Sequence, residues 1–166
     1  MKKVDGSYLA MAAILVLFSQ AAMAVPTFSG NLFSDGGGFF ATEDWDSASS
    51  TFSWEVTDNG NTWHYKYELS VPRKDISHLT IEVSDAFTIN DYIGSDNPEL
   101  AWYGPGVNGT SDFGIPGYLY GLKFEPTNDI TKMVIEFDSP KDPVWGDFFA
   151  RDGKNSGEYV LSLIHI

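Results

Sequence analysis

The chain has 166 residues, no cysteine and a formal net charge of −13. This acidity argues against nucleic acid and anionic lipid as partners, because binding either needs clustered Lys or Arg that release counterions. The lack of cysteine excludes thiolate nucleophiles and cysteine-ligated zinc or iron–sulfur centres. A domain of this size must therefore be stabilised by its hydrophobic core.

The first 24 residues have the three parts of an export signal. Lys2 and Lys3 supply the positive start, an uninterrupted apolar run covers 9–18, and Ala22-Met23-Ala24 fits the small-x-small cleavage site. The apolar run is only half of the ~20 residues that a membrane-spanning helix needs. We predict that 1–24 is a cleaved signal peptide and that 25–160 forms a single exported domain.

The mature chain begins with short apolar pieces and continues into the clearest element of the sequence. We predict a short strand before the glycine run Gly36 to Gly38, a loose turn at the run, and a second short apolar piece after it. From Phe52 to Ser70 apolar and polar residues alternate on two arms, which predicts a β-hairpin with one apolar face on each arm. Asn59-Gly60 between the arms favours the positive φ angles of a tight hairpin turn.

Further strands are predicted where the alternation returns. The segments are 76–84, 118–124, 130–137, 144–150 and 158–163. Residues 90–116 show little periodicity and are predicted to be a long functional or flexible loop, or to contain strands without a clear pattern. No segment after residue 24 has a sustained helical period. The sequence thus predicts an all-β antiparallel sandwich of jelly-roll or immunoglobulin-like type, with no helix apart from the signal peptide.

Acidic side chains cluster on one early loop. Glu43, Asp44 and Asp46 offer the hard oxygen ligands that calcium prefers, but calcium needs six to eight of them and the motif of a calcium loop is absent. These residues are our candidate metal ligands, and calcium is the one cofactor we consider. The alternative interpretation is that they are solvated turn acids that keep an exported protein soluble.

Motifs for catalysis are weak. A glycosidase needs two carboxyl groups facing each other across a cleft, and Glu55 and Glu68 on the two hairpin arms are the candidates. His64, His78 and His165 are too far apart in sequence for a zinc motif, and there is no nucleophile elbow, P-loop or dinucleotide fingerprint. We therefore expect no enzymatic activity.

Aromatic residues are the most informative class, at 15% of the chain. Alternation assigns Trp54, Trp63 and Trp145 to the core, and Gly146 inside the predicted 144–150 strand should mark a bulge or a close backbone approach. The candidate ligand-binding residues lie on predicted loops, where exposed rings can stack on sugars: they are Trp45, Trp102 and Tyr103.

Four stretches resemble the exported passenger domains of bacterial PEP-CTERM proteins. They are the hairpin, the strand that starts Ile76-Ser77-His78, the segment Pro116-Gly117-Tyr118-Leu119-Tyr120-Gly121-Leu122-Lys123-Phe124, and the segment from Pro143-Val144-Trp145-Gly146-Asp147 to Gly153. The resemblance spans 51–153. It implies a Gram-negative cell-envelope or extracellular-matrix protein associated with exopolysaccharide, and it carries over no catalytic residues.

The chain departs from that protein type at its end. A sorting tail would contain Pro-Glu-Pro, an apolar span and a basic cluster, whereas this chain stops at Leu161-Ser162-Leu163-Ile164-His165-Ile166. We expect 161–166 not to be native, and membrane attachment only through the export signal or a missing C-terminal anchor. The expected function is non-enzymatic and exported, with a carbohydrate-binding module and a polysaccharide-active hydrolase as alternatives; the oligomeric state stays open.

Overall fold

The computed structural model describes residues 25–46, 49–107, 115, 117–152 and 159–161. The predicted signal peptide and the end of the chain beyond Leu161 lie outside these residues. The described strands are, in chain order, β1 (Thr27–Phe33), β2 (Phe40–Ala41), β3 (Thr51–Asp58), β4 (Trp63–Ser70), β5 (Ile76–Glu82), β6 (Glu99–Tyr103), β7 (Leu119–Phe124), β8 (Lys132–Ser139), β9 (Phe148–Asp152) and β10 (Tyr159–Leu161). Two single 3-10 turns, Glu43–Trp45 and Ile89–Asp91, are the only helical segments among them.

The strands form two antiparallel sheets. The four-stranded sheet has the order β1-β3-β4-β8, and the six-stranded sheet has the order β2-β10-β9-β5-β7-β6. Their apolar faces pack together, so the predicted all-β sandwich is confirmed; which of the two sandwich types it is stays a prediction. Among the described residues, no helix is long and apolar enough to cross a membrane.

The predicted hairpin is present as β3 and β4. Its register pairs Phe52 with Leu69 and Asp58 with Trp63. Gly60 has a φ of 88°, and its N–H donates to the Asp58 carboxylate at 2.6 Å. The turn therefore uses the glycine conformation that the sequence indicates.

The core lies between the two sheets. Leu69, Leu79, Leu122 and Ile135 are at most 1% exposed. In β8 the predicted alternation is observed: Met133, Ile135 and Phe137 are buried, while Lys132, Val134 and Glu136 face solvent. The segment 90–116 contains the strand β6, which pairs with β7 and which its sequence pattern does not reveal.

The predicted 144–150 strand begins later than expected, at Phe148. The assignment of Trp145 to the core is therefore wrong, because its side chain is 61% exposed. Val144 is also exposed, at 60%. The physical reason is that Pro140 and Pro143 lie in an irregular segment, 140–147, between β8 and β9. Trp54 and Trp63 are half-buried and pack against the core.

Candidate functional site

A cleft with a volume of about 370 Å³ opens between the two sheets. We call it the aromatic cleft. One wall is the inner face of the four-stranded sheet, with Phe28, Leu32, Phe52, Trp54, Val56, Tyr65 and Tyr67. The other wall consists of Ile81, Glu82 and residues 143–148. A concave, mostly apolar site with few polar groups is the usual form of a ligand pocket.

Two tryptophans meet in this cleft. The rings of Trp54 and Trp145 lie edge to face, with centroids 6.0 Å apart and planes at 88°. Trp145 reaches into solvent, whereas Trp54 lies half-buried over Gly30, where a methyl group would overlap the indole ring. The Trp54 Nε1–H is buried and has no hydrogen-bond acceptor within the described residues. The cleft therefore presents an aromatic corner formed by the two indole rings.

The segment that carries Trp145 is fixed to the end of β5. The Asp147 N–H donates to Glu82 Oε2 at 2.7 Å, and the Glu82 N–H donates to the Asp147 carbonyl at 2.9 Å. A Cβ atom on Gly146 would lie 3.1 Å from the Glu82 Cβ. The close backbone approach predicted for Gly146 is thus present, although the residue lies outside the strand. These contacts hold Trp145 in place without burying it.

The charged side chains of the lining are both acidic. Glu82 and Asp147 belong to the cleft, and no Lys, Arg or His is among the described residues that line it. Within this part of the chain the cleft therefore offers carboxylate acceptors and no cationic donor. Its electrostatics favour a neutral or positively charged ligand over an anionic one.

Two tyrosines form the deeper part of the four-stranded wall. Burial raises the pKa of Tyr65 to about 12, with a smaller contribution from the negative charge of Asp142. Burial also raises the pKa of Tyr67 well above its ordinary value. The Tyr65 hydroxyl donates to the Lys141 carbonyl at 3.0 Å. Both phenols stay neutral at physiological pH, so they serve the cleft as packing surfaces and not as bases.

The three aromatic residues singled out from sequence do not form one site. Trp102 on β6 is 48% exposed and packs beside Tyr120, with ring centroids 5.1 Å apart. Trp45 is fully buried, and the neighbouring Ser50 hydroxyl donates to the Trp45 carbonyl at 2.6 Å. Tyr103 is 7% exposed and lies in a separate buried cluster. Burial of Trp45 and Tyr103 is not compatible with stacking on a ligand.

Trp45 is buried because its loop forms a 3-10 turn that directs the ring inward. Glu43 starts this turn with a φ of 50°, and Asp44 lies 3.8 Å from the Lys74 ammonium. No group of three metal-ligating side chains comes together anywhere in the described part of the chain. The calcium site at Glu43, Asp44 and Asp46 stays a prediction.

The candidate catalytic acids lie outside the cleft, on the outer face of the four-stranded sheet. Glu55 is directly opposite Lys66 in the register of β3 and β4. Lys66 in turn binds Glu136 at 2.7 Å, and Lys132 binds Glu68 at 2.8 Å. Cross-strand pairs of this kind stabilise a sheet modestly. Glu55 and Glu68 are thus members of a solvent-exposed ladder of charges.

Sequence reasoning missed Phe28 and Trp145 as surface residues of a cleft. The alternation of 144–150 looks like a strand, although Pro140 and Pro143 stand just before it. These two prolines were the available signal, since proline is disfavoured inside a paired strand and common where pairing ends.

Comparison with known proteins finds no matching family model, no matching curated protein and no matching solved structure. The class that the described residues define is an all-β sandwich domain with a solvent-open aromatic cleft between its sheets.

Proposed function

We propose that this protein is a non-enzymatic, exported protein of the cell envelope or extracellular matrix that binds a polysaccharide through the aromatic cleft. The observation that carries the proposal is the pair of Trp54 and Trp145, which meet edge to face at 6.0 Å in a cleft that is open to solvent. Sugar rings present apolar C–H faces and polar edges, and a corner of two indole rings with nearby acceptors complements both. This supports carbohydrate binding over a purely structural role.

The charge of the cleft limits the class of polysaccharide that can bind there. Glu82 and Asp147 can accept hydrogen bonds from sugar hydroxyl or amino groups. A polysaccharide rich in uronate or sulfate would meet two carboxylates, no cation in the lining and a chain with a net charge of −13. The proposed ligand is therefore a neutral or amino-sugar polymer.

The arrangement of the acids supports binding without hydrolysis. In glycosidases two carboxyl groups face one another across the scissile bond, about 5 Å apart or somewhat more. Here Glu82 Oε2 accepts the backbone N–H of Asp147, so both acids belong to the same wall of the cleft. Glu55 and Glu68 point away from it, on the outer face of the other sheet.

The export and envelope parts of the proposal rest on residues 1–24 and on the PEP-CTERM resemblance. Expression in a Gram-negative host followed by fractionation and N-terminal sequencing tests them. Mature protein outside the cytoplasm that begins at Val25 is the expected result. Protein that stays cytoplasmic with Met1 intact would contradict the export proposal.

The binding proposal is tested by titration calorimetry with oligosaccharides of three kinds: neutral, amino-bearing and uronate-bearing. Trp145→Ala is expected to weaken binding of the neutral or amino-bearing chain by about tenfold or more, which corresponds to ~1.4 kcal/mol. The matched control is Trp102→Ala, because Trp102 is also exposed but lies outside the cleft. Each titration is run with calcium and with a chelator.

Several outcomes would contradict the proposal. Failure of all three oligosaccharides to bind would contradict the proposal that the protein recognises carbohydrate. A loss caused by Trp102→Ala but not by Trp145→Ala would move the site to β6. Release of reducing ends during the titration would favour the hydrolase alternative.

A further inference from the structure

The strand β1 is an edge of the four-stranded sheet and carries no charged residue. Proteins commonly protect exposed sheet edges with charges, prolines or bulges, because an unprotected edge pairs with another chain. The other edge of the same sheet, β8, carries Lys132, Glu136 and Asp138, and β6 at the edge of the second sheet begins with Glu99. The register of β1 with β3 is continuous from Thr27 to Phe33, without a bulge.

Two hydrogen bonds show which backbone groups β1 uses on β3. The Asp58 N–H donates to the Pro26 carbonyl at 3.0 Å, and the Ser34 N–H donates to the Ser50 carbonyl at 3.1 Å. In an antiparallel ladder, hydrogen-bonded pairs alternate with pairs that make no hydrogen bond. The even-numbered residues of β1 are therefore the ones bonded to β3.

The odd-numbered residues consequently direct their N–H and C=O groups to the open edge. At Phe33 this edge is closed, because the Gly38 N–H donates to the Phe33 carbonyl at 3.1 Å. Thr27, Ser29 and Asn31 remain, and within the described residues no hydrogen bond is made by their edge-facing backbone groups. The open edge of β1 thus offers three consecutive pairs of donors and acceptors.

We propose that a second copy of this chain pairs with β1 along this edge, antiparallel and about a two-fold axis at Ser29. In this register Thr27 faces the partner's Asn31, and Ser29 faces the partner's Ser29. Residues that face each other in this way form hydrogen-bonded pairs. About six backbone hydrogen bonds then satisfy the edge-facing N–H and C=O groups of Thr27, Ser29 and Asn31 in both chains. The two four-stranded sheets join into one continuous sheet.

The side chains also match in this register. Phe28 lies opposite the partner's Gly30, so a ring that is 46% exposed in the single chain is covered. Its new neighbour is the indole ring that lies over that glycine. On the outer face Thr, Ser and Asn oppose one another, and no like charges meet within the seam. A second copy fits the edge because its own β1 supplies this complement.

The net charge of −13 on each chain opposes the association at long range. At physiological ionic strength the screening length is about 8 Å, so acidic groups elsewhere on the two chains are largely screened. The pairing is therefore expected to strengthen as salt is added. A basic peptide from another protein would show the opposite salt dependence, which separates the two occupants.

The test uses the absence of cysteine from the chain. Ser29→Cys introduces one thiol at the axis, where paired side chains lie about 5 Å apart, within reach of a thiol-specific cross-linker that spans roughly 8 Å. The matched control is Ser53→Cys, which lies on the same outer face but one strand farther in, opposite Asn31. Across the proposed seam the two copies of residue 53 are three strand spacings (~14 Å) apart across the strands and four residues (~13 Å) apart along them, or ~20 Å in all.

Covalent dimers are expected at least tenfold faster from Ser29→Cys than from Ser53→Cys, on the full chain at equal concentration. Sedimentation of the unmodified protein is expected to show a dimer that dissociates on dilution and that Ser29→Lys abolishes, while Ser53→Lys leaves it intact. Equal cross-linking rates, or a protein that sediments as a monomer at about 1 mM and high salt, would overturn the proposal.

Discussion

Phe52 of β3 and Phe148 of β9 stack across the interface of the two sheets, with ring centroids 3.8 Å apart and planes 15° from parallel. Both rings are at most 5% exposed, and both line the inner end of the aromatic cleft. The same contact thus stabilises the packing of the two sheets and forms the base of the aromatic cleft. Packing and site geometry cannot be changed independently at this point.

Phe148→Ala is expected to lower the free energy of unfolding by about 3 to 5 kcal/mol, because it removes a buried ring and leaves a cavity. Chemical denaturation followed by circular dichroism measures the change. Val134→Ala is the control, since Val134 is 45% exposed on the outer face of β8 and should shift stability by no more than about 0.5 kcal/mol. Similar losses in the two variants would mean that the stacked pair does not hold the sheets together.

Truncation of Trp45 and of Trp145 should change the stability of the protein in the reverse order from the one that the sequence indicates. Trp145 looks like a strand residue but is 61% exposed, whereas Trp45 looks like a loop residue but is fully buried. Trp45→Ala is expected to cost about 3 to 5 kcal/mol of stability. Trp145→Ala should cost no more than about 1.5 kcal/mol, the worth of its edge-to-face contact with Trp54.

Thermal and denaturant unfolding of both variants distinguishes these values readily. A large loss for Trp145→Ala combined with a small one for Trp45→Ala would restore the sequence-based assignment. It would also remove the exposed aromatic surface on which the binding proposal depends.

The strands were predictable from the sequence where one face of the strand is buried and the other is exposed to solvent. In β3, β4 and β8 apolar side chains alternate with polar ones because only one face of the sheet is covered, and this period of two is visible in the sequence. In β6 the central residues Leu100, Ala101 and Trp102 show no such alternation, so the strand was hidden in an apparent loop. β6 is a strand because it pairs with β7, and no local sequence pattern encodes this pairing.

The cleft was not predictable because it combines residues that are far apart in the chain. Phe28, Trp54 and Trp145 come together only through the pairing of β1 with β3 and the hydrogen bonds between Glu82 and Asp147. Alternation of apolar and polar residues also carries no information about where a strand starts. The predicted strand therefore began too early, at 144, and Trp145 was assigned to the core.

The fit between Gly30 and Trp54 gives a test of how the cleft wall is built. Gly30→Ala would place a methyl group in the space of the indole ring, and the resulting overpacking is expected to cost about 1 to 3 kcal/mol. Trp54→Leu on the same background should recover part of that loss, because a smaller side chain leaves room for the methyl group. A double-mutant cycle by denaturation measures the coupling. Additive effects of the two substitutions would show that Gly30 is not needed to accommodate Trp54.

His78 is expected to give the protein a characteristic loss of stability in mild acid. Its side chain is 8% exposed on β5, and burial lowers its pKa to about 4, with the positive charges of Lys123 and Arg151 acting in the same direction and Glu125 opposing them. In the unfolded chain the pKa is about 6.5, so the unfolded state binds a proton that the folded state refuses. Stability should therefore be constant above pH ~6.5 and fall as the pH drops toward 4, by roughly 3 kcal/mol at most.

Carboxylates reinforce this trend only at lower pH. Hydrogen bonds and lysine charges lower the pKa values of Glu125 and Glu136, so their contributions are lost below the ordinary range of a glutamate near 4.5. Measurements between pH 6.5 and 5 therefore separate the histidine range from the carboxylate range. His78→Gln removes the ionisable group and should flatten the dependence of unfolding free energy on pH across this window, even where it lowers stability overall. A slope that survives the substitution would assign the titration to another group and would mean that His78 accepts its proton in the folded state.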